Sequence, residues 1–167
     1  KKILEKNIVE DYLFKSQIRK EEKPYSLDIG CATGRYPLWL SENGFFACGY
    51  DIDESAIKIC QARSEGKENI HIENKNILEH DPESEKYTLI TCMMGTFNHI
   101  LISEQEKFVH WIYDSLKPGG IYIFSSWNIE CPYTSYLQFY TREDRENIQK
   151  NTQKVDNIER LLKDCGF

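Results

Sequence analysis

An acid and a group of small residues stand together near the start of the sequence. Asp28 lies inside the short, mostly apolar run Ser26–Ile29, and Gly30–Gly34 follow directly. The run predicts a buried strand, and the glycines predict a tight loop that leads into a helix near Tyr36. Burying an unpaired polar group costs roughly 2–7 kcal/mol, and more for a charge. We therefore expect Asp28 to face hydrogen-bond donors or a cationic ligand.

The spacing of the small residues distinguishes between two kinds of ligand. Dinucleotide sites use Gly-x-Gly-x-x-Gly, in which the helix N-terminus holds the pyrophosphate. Here Gly30 and Gly34 flank Ala32, and Arg35 follows. The pattern therefore disfavours a nicotinamide coenzyme. S-adenosylmethionine has no phosphate and carries an ammonium and a sulfonium, so an acid in the first loop suits it. An ordinary strand-to-helix turn is the structural alternative.

Residues 27–34 resemble the first motif of class I S-adenosylmethionine-dependent methyltransferases, Leu-Asp-x-Gly-x-Gly-x-Gly, with Ala32 at the middle glycine. The resemblance implies an α/β fold, a three-layer Rossmann-like sandwich with a mainly parallel sheet. It also implies that S-adenosylmethionine is the cofactor and that the first loop binds it. The residues assigned to this part of the site are Asp28, Gly30, Cys31, Ala32, Thr33, Gly34 and Arg35.

Polar residues after the second and third predicted strands complete the expected cofactor site. Asp51 ends the second strand about 20 residues beyond the loop, where a βαβ unit brings a carboxylate to a ribose. We expect Asp51 and its neighbour Ile52 to bind the ribose, with Asp53 as the competing candidate. The resemblance implies an acid or amide after the third strand for the adenine amine, and Asn76 and Ile77 occupy that place.

The segment after the fourth strand should separate the cofactor from the methyl acceptor, because ligands of such sheets bind outside the carboxyl ends of the strands. Met93 would pack against the adenine or the sulfonium, with a place in the hydrophobic core as the alternative. Asn98 and His99 would be the polar groups nearest the transferred methyl group. His99 is the candidate proton acceptor. A purely structural role for this histidine is the alternative.

Strands and helices alternate along most of the chain, which predicts a parallel sheet with crossover helices on both faces. Strands are predicted at 26–29, 45–50, 69–73, 87–93 and 121–125, and helices at 36–42, 55–63, 103–116 and 155–167. Ser103 and Glu106 have the spacing of a capping box at the start of the third of these helices.

The ends of the chain predict two segments of different kinds. Residues 1–24 read as an N-terminal helical segment on the substrate side, and residues 25–167 as the S-adenosylmethionine-binding domain. The resemblance implies two more strands after Gly166, so the sheet is expected to lack the last two of the usual seven. An exposed fifth strand would need a cover, either those strands or a second copy of the chain. An aromatic-rich run, 127–140, is either a lid over the acceptor or a group that packs the edge of the sheet.

Composition narrows the class of acceptor. The net charge of −6 over 167 residues disfavours a nucleic-acid surface. The six cysteines and four histidines lack the spacing of a metal site or a disulfide framework. No membrane span or signal peptide is evident, which predicts a cytoplasmic protein.

From the resemblance and the net charge together, we predict a methyltransferase acting on a nitrogen or oxygen of a small molecule. The alternatives are a tRNA base-modifying enzyme, an NAD-binding oxidoreductase and a cofactor-binding module without turnover.

Overall fold

The computed structural model describes residues 9–10, 24–127 and 141–167. In these ranges five strands form one parallel sheet in the order β3-β2-β1-β4-β5. The strands are β1 (Tyr25–Ile29), β2 (Phe46–Asp51), β3 (Ile70–Asn74), β4 (Tyr87–Cys92) and β5 (Leu116–Phe124). The helices are α1 (Arg35–Glu42), α2 (Glu54–Ser64), α3 (Ile102–Ser115), α4 (Arg142–Asn151) and α5 (Val155–Asp164). The strand order reverses between β1 and β4, and this reversal leaves a crevice at the carboxyl ends of the strands.

Both faces of the sheet are covered, so β4 is buried along its whole length and β1 is buried after its first residue. On one face Leu27 and Ile29 of β1 pack in a cluster with Phe108 of α3. On the other face Leu89 of β4 packs in a cluster with Leu40 of α1. The predicted three-layer, Rossmann-like α/β sandwich is therefore confirmed.

The predicted strands and helices are present with shifts of at most three residues at their ends, except that β5 begins five residues earlier than predicted. The predicted capping box is wrong. Helix α3 begins at Ile102, Leu101 is its N-cap residue, and no side chain caps it. The Glu104 N–H is instead satisfied by the Leu101 carbonyl at 2.8 Å. The helix follows a short 3-10 helix, Thr96–His99, so its first turn forms earlier and places Ser103 inside the helix.

Two of the sequence predictions fall largely outside the described residues. Most of the N-terminal segment 1–24 and residues 128–140 of the aromatic-rich run belong to this group. Val9 is described, and it is fully buried in the hydrophobic cluster that contains Leu40 of α1 and Leu89 of β4. Within the described ranges, no helix combines the length and the apolar character needed to cross a membrane.

Candidate cofactor and acceptor cavity

A cavity of about 390 Å³ opens at the carboxyl ends of β1, β2, β3 and β4. Its walls include residues that the sequence proposed for the loop, the ribose, the adenine and the acceptor. These are Gly30, Ala32, Asp51, Ile52, Asn76, Ile77 and His99. The fold thus brings together, in one crevice, residues that are separated by up to 69 positions in the sequence, from Gly30 to His99.

Gly30 begins the loop after β1 and has a conformation that suits only glycine. Its φ is +73°, and a Cβ placed there would lie 2.4 Å from the Thr96 Cγ2. The N–H groups of Gly30 and Cys31 both donate to the Tyr50 carbonyl, at 2.8 and 3.1 Å. The loop is therefore held tightly between the end of β2 and the turn after β4. A ligand in the cavity can approach its backbone closely.

Asp51 joins the end of β2 to this loop. Its Oδ2 accepts a hydrogen bond from the Ala32 N–H at 2.7 Å, and its Oδ1 accepts one from the Asp53 N–H at 2.9 Å. Ala32 has a φ of +45°, the left-handed conformation that a glycine would adopt without strain. The Asp51 carboxylate helps to hold Ala32 in this conformation. Each carboxylate oxygen still has a lone pair for a ligand hydroxyl.

Asp53, the competing ribose candidate, has a different role. Its Oδ1 accepts hydrogen bonds from the N–H groups of Ser55 and Ala56, at 2.8 and 3.2 Å. This is the geometry of a helix N-cap, and Asp53 caps α2. Asp51 lines the cavity, whereas Asp53 does not.

The chemistry of these groups fits a nucleoside without phosphates. A pyrophosphate needs free backbone N–H donors at the glycine loop, but the Ala32 N–H is already bonded to the Asp51 carboxylate. That carboxylate would also repel a phosphate, while it can accept from the two hydroxyls of a ribose. Apolar Ile52 and Ile77 line the same part of the cavity. S-adenosylmethionine fits this set of groups.

Asn76 follows β3 and fixes the local turn. Its Oδ1 accepts from the Leu78 N–H at 3.1 Å, and its Nδ2 donates to the Glu79 carboxylate at 2.8 Å. These bonds cap the 3-10 helix Ile77–Glu79. The amide oxygen has a second lone pair, and this can accept from an adenine amine. The side chain thus both shapes the turn and offers an acceptor at the cavity wall.

Asp28 lies behind the loop instead of in the cavity wall. It is 2% exposed, and its Oδ1 accepts from the Thr91 hydroxyl at 2.6 Å. Burial raises the pKa of this carboxyl to about 8, the Thr91 hydrogen bond opposes the rise, and the negative charge of Asp51 adds to it. The expectation of a hydrogen-bond donor facing Asp28 is therefore met by Thr91.

The other predicted residues that do not line the cavity are Cys31, Thr33, Gly34, Arg35, Met93 and Asn98. Gly34 lets the loop pass close to α2, since a Cβ there would lie 2.3 Å from the Cys60 sulfur. Met93 is buried with Trp39 and Leu40 of α1. Met94 lines the cavity instead, and it lies in the turn after β4 with a left-handed φ of +63°.

His99 is the ionisable group on the β4 side of the cavity. It ends the 3-10 helix Thr96–His99, and its side chain reaches both solvent and the cavity. Partial desolvation lowers the pKa of its imidazole, although the charge of Asp144 on α4 acts in the opposite direction. A lowered pKa keeps the imidazole neutral near pH 7, and a neutral imidazole can accept a proton.

Asn98 does not have the catalytic place that the sequence suggested. It is fully buried. Its Oδ1 accepts from the Trp127 N–H at 2.8 Å, and its Nδ2 donates to the Thr152 Oγ1 at 3.1 Å. Both ends of its amide are therefore hydrogen-bonded to other protein groups, and a substrate in the cavity cannot reach it.

Several residues that line the cavity were not predicted from the sequence. They include Tyr50, Lys75, Thr96 and Phe108. The Lys75 Nζ lies 4.6 Å from the centre of the Tyr50 ring and 3.4 Å from the Glu83 carboxylate. Burial would raise the pKa of Glu83, but hydrogen bonds from Lys86 and Tyr50 lower it to about 2. No local pattern predicts this cluster, because Tyr50 and Glu83 are 33 residues apart.

Comparison with known protein families gives a match over almost the whole chain. The family is described as "Methyltransferase domain", and it matches residues 4–167. A protein of Geobacillus sp. (strain WCH70), named "Putative methyltransferase", is 29% identical over 200 aligned positions, covering 92% of this chain and 81% of that protein. A tRNA (carboxymethyluridine(34)-5-O)-methyltransferase of Arabidopsis thaliana is 29% identical over 116 residues, which cover 69% of this chain and 27% of that protein.

A solved structure shows the same fold. It is phosphoethanolamine N-methyltransferase 2 of Haemonchus contortus in complex with S-adenosylmethionine, with a TM-score of 0.78 and 19% identity. The comparison covers 97% of this chain and 36% of that one, so the present chain spans about a third of the larger protein. The same enzyme has also been solved with phosphomonomethylethanolamine and S-adenosylhomocysteine.

Proposed function

Since the chain belongs to the class I S-adenosylmethionine-dependent methyltransferases, we propose that it methylates a nitrogen or oxygen nucleophile of a small molecule. The observation that carries this proposal is the arrangement of the cavity. Asp51 and Asn76 stand on its β2–β3 side, and His99 stands on its β4 side. A nucleoside bound by the first pair leaves the space beside His99 for an acceptor.

The residues of the chain divide the work between binding and proton transfer. S-adenosylmethionine supplies an activated methyl group and its own leaving group. Asp51 accepts from the ribose hydroxyls, and Asn76 with Ile77 receives the adenine. The glycine loop allows close approach at Gly30. His99 accepts the proton that a neutral amine or hydroxyl loses as it is methylated. The remaining contribution is to hold the reacting atoms in line and to exclude water.

The small-molecule acceptor is supported by the charge of the protein. The net charge of −6 disfavours a bulk attraction to nucleic acid. Phosphomonomethylethanolamine, which the Haemonchus enzyme binds, is a first member of an acceptor panel.

A tRNA base is the second candidate acceptor, and one observation favours it. The Arabidopsis relative, which is named as a tRNA methyltransferase, shares 29% identity with this chain, the same value as the Geobacillus relative, over 69% of this chain instead of 92%. Family membership decides against the NAD-binding oxidoreductase. A cofactor-binding module without turnover is distinguished from both enzymes by the assay below.

The test measures S-adenosylhomocysteine release with a panel of small amines and hydroxyl compounds, and separately with unmodified tRNA. We expect release with a small molecule, and a fall of roughly 10²–10⁴-fold in His99→Gln. His110→Gln is the matched control, because His110 is an exposed residue of α3 away from the cavity. Release with tRNA alone would favour the second candidate. Cofactor binding without release would favour the module.

A further inference from the structure

The buried amide of Asn98 joins three segments that are far apart in the sequence. It bonds to Ser126 and Trp127 at the end of β5, 28 and 29 residues away. It also bonds to Thr152 after α4, 54 residues away. Asn98 itself belongs to the 3-10 helix that follows β4. All of these contacts are made by the residue that immediately precedes His99 in the chain.

A second buried amide supports the same junction. Gln105 on α3 is 1% exposed, and its Nε2 donates to the carbonyls of Ile100 and Asn151, at 3.1 and 3.0 Å. Ile100 is the residue after His99, so hydrogen bonds hold the chain on both sides of the histidine. The junction also holds the end of α4, the helix whose Asp144 acts on the His99 imidazole.

We propose that Asn98 is a positioning residue that fixes the His99 side chain at the cavity by joining the β4 turn, the end of β5 and the end of α4. This inference rests on the proposed role of His99 as proton acceptor and goes beyond it by naming the group that sets the position of the acceptor. Asn98 touches neither cofactor nor substrate. A 3-10 helix of four residues has few hydrogen bonds of its own, so it depends on such outside contacts.

An experiment on the histidine itself tests the inference without knowledge of the acceptor. Protein with isotope-labelled histidine is titrated by NMR, and the signal of His99 is assigned by its loss in His99→Gln. The test variants are Asn98→Ser and Thr152→Val. Thr152→Val has nearly the same shape as threonine and removes the oxygen that accepts from the Asn98 amide. Binding of S-adenosylhomocysteine is measured by calorimetry for each variant.

We expect the midpoint of the His99 titration to rise toward the ordinary histidine value of 6.5 in both variants. The reason is that a loosened turn lets water reach an imidazole that the cavity walls partly desolvate. The affinity for S-adenosylhomocysteine should stay within about twofold of wild type, because no ribose or adenine contact changes.

Asn69→Ser is the matched control. Asn69 is also an amide with several bonds, since its Nδ2 donates to the Ser41 and Phe45 carbonyls, but it lies before β3 at the opposite end of the sheet. The Asn69→Ser variant should lose stability without moving the midpoint of the His99 titration.

An unchanged titration midpoint in both test variants, or an equal shift in Asn69→Ser, overturns the inference. If Asn98→Ser does not fold, Thr152→Val decides. If wild-type protein does not bind S-adenosylhomocysteine, or if His99→Gln leaves turnover unchanged, it is the proposed function that fails.

Discussion

The two walls of the cavity are built in different ways. The β1–β3 wall combines backbone held in unusual conformations, at Gly30 and Ala32, with side chains that follow the strand ends, among them Asp51. The wall after β4 is a short turn held by two buried amides, Asn98 and Gln105. The first wall is defined by local geometry at the ends of neighbouring strands. The second depends on hydrogen bonds between residues up to 54 positions apart.

The difference separates two requirements of a transferase. In the proposed reaction the β1–β3 wall binds the cofactor and the wall after β4 faces the methyl acceptor, so they are named the cofactor wall and the acceptor wall. Substitutions in each wall test whether the two walls respond separately.

A hydrogen bond between Asp28 of β1 and Thr91 of β4 joins the two strands that lead into the two walls. The pKa of Asp28 is raised to about 8 by burial, from an ordinary value of 3.8. The folded state therefore holds this proton more tightly than the unfolded state. The resulting stability is fully present below about pH 4 and is lost as the pH rises to about 8, with a slope approaching about 1.4 kcal/mol per pH unit.

Urea unfolding of the ligand-free protein across this pH range measures the slope. Asp28→Asn cannot ionise, so we expect it to remove most of the slope. Asp81→Asn, a change at an exposed acid, is the control and should leave the slope in place. A slope that persists in Asp28→Asn would show that another group causes it.

Gly30→Ala should damage the cofactor wall most. The substitution forces a φ of +73° on an alanine and places its Cβ 2.4 Å from Thr96. Left-handed strain of about 1–2 kcal/mol and overpacking of about 1–3 kcal/mol give a loss of roughly 2–5 kcal/mol. Gly44→Ala is the control, because Gly44 has a φ of +91° and a Cβ added there would meet no atom within 4 Å. The Gly44→Ala variant should lose only the stability that corresponds to the left-handed strain. Equal losses in denaturant unfolding would mean that the contact with Thr96 is unimportant.

Asp51→Ala should weaken cofactor binding without affecting the acceptor wall. Losing one or two hydrogen bonds to a charged acceptor costs about 1.5–3 kcal/mol, which corresponds to a roughly ten- to hundredfold rise in Kd. The loss of the bond to the Ala32 N–H acts in the same direction. Asp53→Ala is the control. It removes the cap of α2 and should cost about 1 kcal/mol of stability with little change in Kd. An unchanged affinity in Asp51→Ala would show that the ribose binds elsewhere.

Gln105→Leu should affect the acceptor wall alone. It leaves the Ile100 and Asn151 carbonyls without the amide donor, which costs about 1–3 kcal/mol. The midpoint of urea unfolding should fall, while the Kd for S-adenosylhomocysteine stays within about twofold. The exposed neighbour Glu106 provides a control, and Glu106→Leu should change neither quantity much. A large change in Kd for Gln105→Leu would mean that the two walls are coupled.

The contrast also explains which features the sequence could reveal. Gly30 and Asp51 stand at fixed distances from the ends of apolar strands, so their spacing alone predicts their meeting in the cavity. The choice of Met93 over Met94 failed to identify the lining residue, since the exact end of a strand decides which side a residue faces. The contacts of Asn98 involve partners with no local pattern, so its burial could not be predicted.

The exposure of Ile52 has a thermodynamic consequence. Its side chain is 74% exposed at the edge of the cavity, beside the carboxylate proposed for the ribose. An adenosine group that settles there removes apolar surface from water, and such burial gives a negative heat-capacity change. Calorimetry at several temperatures should therefore record a binding enthalpy that becomes steadily more favourable on warming, and Ile52→Ser should reduce that temperature dependence.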